Sequence, residues 1–169
     1  EANGGAWFVV YGDGTLSAWG DGRSGALGDS PRGGEFFRPY GLRRTVLTGV
    51  QELRSDGGTL ILAIDRTGTL WSVGARTTLI RSDPAAGPDA PAVLMEDVAD
   101  AAVGTNTLAA VGRDGALYLW QDGGPVQVGT GSVRVFFAGG CLFTLQEDGA
   151  LLRWDGADSR PVPISGPAV

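Results

Sequence analysis

Three aspartates occupy equivalent places in this sequence: Asp13, Asp114 and Asp148, each directly before a glycine. Paired carboxylates are the machinery of glycoside hydrolysis, where two of them face one another across a cleft at roughly 5–10 Å. These three recur instead at one point of a repeated pattern, and the needs of a tight turn account for that. The remaining chemistry is sparse. The chain has no histidine, which excludes a Ser-His-Asp or Cys-His arrangement and any histidine-ligated metal. Its one cysteine, Cys141, lies between Gly140 and Leu142 at the start of an expected strand and reads as a small buried hydrophobe. Asp21 and Asp29 in DGRSGALGDS lack the D-x-D-x-D-G spacing of a calcium loop. The glycine-rich stretches GGAWF and GDGRSGALG do not lead into a helix, and neither has the lysine of a phosphate-binding loop. We therefore expect no catalytic residue, no metal ligand and no cofactor.

One cluster does suggest recognition. Phe36, Phe37 and Tyr40 fall outside any strand alternation, with Arg23 and Arg38 beside them in the stretch Gly20 to Arg44. Aromatic side chains and arginines are the types enriched where one protein anchors on another. Arg76, in the second long insertion, could join the same face. Arg23, Phe36, Phe37, Arg38, Tyr40 and Arg76 are the expected partner-binding residues.

What would position them is a fourfold repeat. Leu108 to Trp120, LAAVGRDGALYLW, has the pattern of a β-hairpin: two apolar strands around an Asp-Gly turn, where glycine accepts the positive φ of a tight connection. It recurs as FVVYGDGTLSAW, LAIDRTGTLWSV and FTLQEDGALLRW. The turn glycines are Gly14, Gly68, Gly115 and Gly149; leucine follows each by two residues, and Trp19, Val73, Trp120 and Trp154 by five. Trp19, Trp120 and Trp154 are expected to pack between repeats; Trp7, Trp71 and Tyr118 belong to the core or its rim. Each later hairpin follows a preamble of two short strands with a bend, often opened by proline (Pro91, Pro125, Pro161). Four strands per unit is the make-up of a propeller blade.

Composition agrees. Glycine is 29 of 169 residues, which favours many turns over long helices. The net charge is −6, and all 13 basic residues are arginine, so a phosphate backbone is a poor partner. No run approaches the roughly 20 apolar residues of a membrane helix. The unequal spacing of the turn glycines places insertions at Gly20 to Arg44 and Ala75 to Pro91. Residues 1–169 are expected to form one domain. Residues 161–169 match the opening of a preamble and 1–5 its end, so together they form one split unit. Three arrangements follow: a closed four-bladed ring, a larger ring completed in trans by a second copy, or a slice of a longer propeller.

The residues Trp19-Gly20-Asp21-Gly22-Arg23-Ser24-Gly25-Ala26-Leu27-Gly28 resemble the W-G-x-N-x-x-G-Q-L-G signature of the regulator of chromosome condensation (RCC1-like) propeller repeats, with Gly22 in place of the asparagine and Ala26 in place of the glutamine. The resemblance implies an all-β propeller serving as a recognition scaffold. Among family members are an exchange factor for a small GTPase that docks on chromatin, ubiquitin-ligase modules, and secreted bacterial inhibitors. The last are most similar in composition, while a chromatin role would want the basic face this acidic chain lacks. The expectation is thus a bacterial, non-catalytic, protein-binding module, secreted or at the cell surface or periplasm, with the cytoplasm as the alternative. It takes a protein partner and no nucleic acid, and does not insert into a membrane. The rival readings are a homodimer completing its ring and a carbohydrate-handling propeller.

Overall fold

In the computed structural model the described residues are 2–3, 5–21, 27, 37–38, 43–55, 60–74, 91–104, 107–121, 124–155 and 161–165. They form seventeen strands in four antiparallel sheets, the blades. Blade 1 holds β1 (Ala2–Asn3), β2 (Ala6–Val10), β3 (Leu16–Asp21), β4 (Phe37–Arg38) and β5 (Arg44–Leu47). Blade 2 holds β6 (Val50–Ser55), β7 (Leu60–Asp65), β8 (Leu70–Gly74) and β9 (Ala92–Met95). Blade 3 is β10 (Val98–Gly104), β11 (Thr107–Gly112), β12 (Leu117–Gln121) and β13 (Gly124–Gly129). Blade 4 is β14 (Ser132–Ala138), β15 (Cys141–Gln146), β16 (Leu151–Trp154) and β17 (Val162–Ser165). No helix occurs among the described residues.

The four expected hairpins are β2–β3, β7–β8, β11–β12 and β15–β16. Each turns through three residues closed by two backbone hydrogen bonds. In the first, the Tyr11 N–H donates to the Thr15 carbonyl and the Gly14 N–H to that of Tyr11, both at 2.9 Å. The last turn residue is always the glycine, with φ of 88°, 90°, 80° and 84° from Gly14 to Gly149. The sequence fixes this locally, because an L side chain at such a φ is strained.

Blade and sequence unit differ in phase. The two strands of each preamble form as expected, but they belong to different sheets. β9 pairs backward with β8, whereas β10, just past the bend at Glu96-Asp97, pairs forward with β11. A hairpin at either end can claim an intervening strand, so local pattern does not decide the partner. Residues 162–165 accordingly form the outer strand of blade 4, and residues 2–3 the inner strand of blade 1.

The blades stack in chain order. A hydrophobic cluster fills each junction: Phe8, Leu16 and Ala18 against Ile61, Ala63 and Val73 between blades 1 and 2; Leu62, Ile64 and Leu70 against Leu108, Ala110 and Trp120 between blades 2 and 3; Ala109, Leu117 and Leu119 against Val135, Leu142 and Trp154 between blades 3 and 4. Each blade thus shows one set of alternating side chains, its leading face, to the next blade, and the opposite set, its trailing face, to the one before. Among the described residues no such cluster joins blade 4 to blade 1.

A backbone clamp repeats at the same junctions. The carbonyls of Gly14, Gly68 and Gly115 accept the N–H of Val50, Val98 and Ser132, the first residue of the next blade, at 2.8–3.0 Å. The residue just before each acceptor's partner, Gly49, Asp97 or Gly131, has positive φ, and its carbonyl accepts the N–H of Arg66, Arg113 or Glu147 in its own blade's hairpin turn.

Candidate protein-binding surface

Strand direction sorts the loops. Hairpin turns and clamps gather at one end of every blade. The connections from third to outer strand leave from the opposite end, and both long insertions are of this kind: 22–43 follows β3, and 75–91 follows β8. The two insertions therefore emerge at the same end of adjacent blades. Of the six expected binding residues, Arg23, Phe36, Tyr40 and Arg76 lie outside the described residues. Phe37 and Arg38 form β4, whose backbone pairs with the far end of β3, Asp21 with Phe37 and Gly20 with Arg38. That register places both at the loop-bearing end of blade 1.

At the other end, the repeated carboxylates are consumed by their turns. The Oδ1 atoms of Asp13, Asp114 and Asp148 accept the backbone N–H of Thr15, Ala116 and Ala150 at 2.8, 3.0 and 2.9 Å. The backbone hydrogen bond from Thr15 holds the Asp13 carboxyl below its ordinary pKa. Blade 2 has Thr67 in place of the aspartate, and Asp65 does the work from the strand end. Its Oδ1 accepts the Thr67 and Thr69 N–H and the Thr67 hydroxyl, and its Oδ2 accepts the Trp71 indole N–H at 2.9 Å. Partial burial would raise the Asp65 pKa, but the hydrogen bonds from Thr67, Trp71 and Thr69 outweigh it and bring it down to about 2. A cleft of about 550 Å³ opens beside these turns, lined by Met95, Glu96, Asp97, Arg113, Asp114 and Tyr118. Its Asp114 is one of the turn carboxylates. Among the described residues no three histidine, cysteine, aspartate or glutamate side chains group so as to hold a metal ion.

The tryptophans divide. Trp120 and Trp154 are buried between blades, as their repeat phase implies. The Trp154 ring fills the space over Gly129 of blade 3, where a Cβ would lie 2.8 Å from it. Trp71 is half-buried against the first junction. Trp7 is 51% exposed and stacks on Trp19 with centroids 6.5 Å apart and planes 10° from parallel. Cys141 is half-buried rather than buried.

Two features escaped the sequence reading. Asp100, buried in β10, binds both neighbouring blades. Its Oδ1 takes Arg54 Nη2 of blade 2 at 3.1 Å, and its Oδ2 accepts the Val135 N–H of blade 4 at 3.0 Å. Burial works against the Arg54 charge, but Asp100 and Glu52 more than compensate and raise its pKa. The second is a pair of aromatic end faces. On the leading face of blade 4, Phe136 stacks on Phe143 at 5.3 Å and is 42% exposed. Its signal in the sequence is the double aromatic at the positions held by Ala102 and Ala109 in blade 3.

The blades are those of an RCC1-like β-propeller. Human WBSCR16 superposes with a TM-score of 0.74 at 14% identity, over 98% of this chain and 52% of that one. Yeast RCC1 (Prp20), in its structure bound to Kap60, gives 0.70 at 14% identity, over 98% of this chain and 48% of that one. Prp20p of Saccharomyces cerevisiae, in the structure described with its binding to Gsp1p and histones, gives 0.69 at 17% identity, over 97% and 49%. The chain spans about half the length of these solved structures. No protein-family model and no curated protein sequence matches it.

Proposed function

We propose that this chain is a non-catalytic scaffold that binds a partner protein through the loop-bearing end of blades 1 and 2. The observation that carries the reading is topological: both long insertions, with the aromatic and arginine residues, leave the array at one end of adjacent blades, opposite the clamps. A rigid array presenting variable loops at one rim is a common basis for recognition. That Prp20 is described with Kap60, Gsp1p and histones supports a protein as the ligand class. The net charge of −6 argues against nucleic acid. The turn aspartates, engaged by backbone N–H groups, offer no pair for hydrolysis.

The test is affinity capture with the intact chain, the partner identified by mass spectrometry. Phe37→Ala combined with Arg38→Ala is expected to abolish retention of that partner while leaving the thermal midpoint within about 2 °C, as fits a surface change. Retention unchanged in the double variant would sink the reading. Loss of folding would reassign both residues to the core.

A further inference from the structure

We infer that the cleft between blades 2 and 3, at the clamp end of the array, receives an arginine side chain of a partner protein. This is a second contact, at the end opposite the long insertions, and it depends on none of their residues.

The three junctions can be compared position by position, and this one differs from both others. The residue three before the turn glycine pairs with the first residue of its own blade: Asp65 with Val50, Gly112 with Val98 and Gln146 with Ser132. In blades 2 and 4 its side chain is used inside the blade. Asp65 holds its turn and the Trp71 indole, and the Gln146 amide lies 3.1 and 2.9 Å from the hydroxyls of Ser132 and Thr144. In blade 3 there is no such side chain. A Cβ on Gly112 would lie 2.5 Å from Asp114 Oδ1, so the Asp114 carboxylate stands where that side chain would begin. Tyr118 takes the place of Trp71, three residues past the turn glycine, with no carboxylate opposite to bind it.

The bend on the other wall differs in the same direction. It is Thr48-Gly49 between blades 1 and 2 and Thr130-Gly131 between blades 3 and 4, but Glu96-Asp97 here. The cleft thus brings three carboxylates, Glu96, Asp97 and Asp114, against one guanidinium, Arg113. Arg113 is laid over the blade 2 turn, where a Cβ on Gly68 would meet its Nη2 at 2.6 Å. Asp114 Oδ1 takes the Ala116 N–H. Among the described residues its Oδ2, the carboxylates of Glu96 and Asp97 and the Tyr118 hydroxyl have no hydrogen-bond or ion-pair partner.

These features define the guest. The charge calls for a cation. Among the described residues no three such carboxylates group closely enough for a metal ion, so an extended cation fits and a bare one does not. Met95 and Tyr118, half-buried against the hydrophobic cluster of this junction, give an apolar wall for an aliphatic stem and an aromatic ring for a planar head. A guanidinium on its stem has both, and its fork of N–H donors matches carboxylates better than an ammonium does. At about 550 Å³ the cleft has the size of sites that take whole ligands rather than single groups, which leaves room for the chain on either side of the arginine.

The test is an NMR titration of the ¹⁵N-labelled full chain with the peptide acetyl-Ala-Arg-Ala-amide. Saturable shifts are expected at the amides of Asp97, Arg113 and Ala116, with a Kd on the order of 1 mM, as suits one anchored side chain. The amides of Gly49 and Gly131, in the other two bends, should stay in place. Lysine in place of arginine should bind roughly fivefold more weakly or worse, and neutral citrulline not at all. Asp97→Gly installs the residue of the other two bends at φ 55°, so the fold should hold while binding weakens by about fivefold or more. Glu96→Gln, at an exposed position, should do the same. No saturable shift, shifts scattered over the acidic surface, equal binding of lysine or citrulline, or full binding by both variants would overturn the inference. So would agmatine, a guanidinium without the peptide, binding more tightly than the peptide, since that would make the cleft a small-molecule site. Should a variant fail to fold, the ranking of the three peptides on the wild type still decides. Phe37→Ala with Arg38→Ala should leave the titration unchanged, so this inference and the loop-face reading fail separately.

Discussion

At the residue scale, the repeated aspartates show how a motif can resemble chemistry and be architecture. Asp65 receives four hydrogen bonds from one turn and its own tryptophan, and the result is a carboxyl with a pKa of about 2 against 3.8 ordinarily. A folded pKa below the unfolded one adds stability that is complete above the unfolded value and is lost as pH falls through the folded one. Asp65→Asn is therefore expected to be less stable than the wild type at neutral pH, with the gap closing between about pH 4 and pH 2. Urea titrations at pH 7, 4 and 2.5 would read it; a pH-independent gap would mean that Asp65 contributes nothing through its charge. Asp100 acts in the interior. Asp100→Ala leaves the Val135 N–H buried without its acceptor and removes a partner of Arg54, at an expected cost of about 2–4 kcal/mol. Asp100→Asn, which can still accept one of the two bonds, should cost less. Chemical denaturation distinguishes them. Neither role of Asp100 was legible in the sequence, since its partners lie 46 and 35 residues away and no local pattern marks a carboxylate for them.

At the scale of elements, the hairpins were legible and the blades only partly so. A glycine at φ near 85°, an aspartate capping the turn and alternating apolar strands are all short-range facts, and all four hairpins stand where their sequences place them. Pairing of the preamble strands is not short-range, and the unit read from sequence straddles two sheets. The same reasoning limits the loops: aromatic and arginine content flags the insertion, and topology gives its end of the array, but Arg23, Phe36, Tyr40 and Arg76 lie outside the described residues. The clamp gives a prediction of its own. At Gly115 a side chain would meet strain at φ 80° and the Gly131 backbone nitrogen at 3.3 Å. Gly115→Ala should lower stability by about 2 kcal/mol or more, mainly by weakening the junction of blades 3 and 4. A loss well under 1 kcal/mol by urea titration would show that the junction yields.

At the scale of the whole molecule, the end faces matter most, and a sequence hides them for a simple reason. Whether Trp7 is buried depends on what stands next to blade 1, which no residue of blade 1 records. Trp120 and Trp154 stand between blades as their repeat phase implies, whereas Trp19, expected to do the same, is half-buried and stacks on the exposed Trp7 of its own blade. Repeat arrays in which each unit touches only its neighbours gain stability roughly as a sum of units and junctions.

The buried carboxylate of blade 3 sets a limit on that simple sum. Because Asp100 reaches into the blades on both sides, blade 3 is written into its setting and is not a spare part. A copy of blade 3 placed elsewhere would arrive with a buried charge needing an arginine behind and a bare amide ahead. If this array grew by duplication, its third member has since become tied to the neighbours it has.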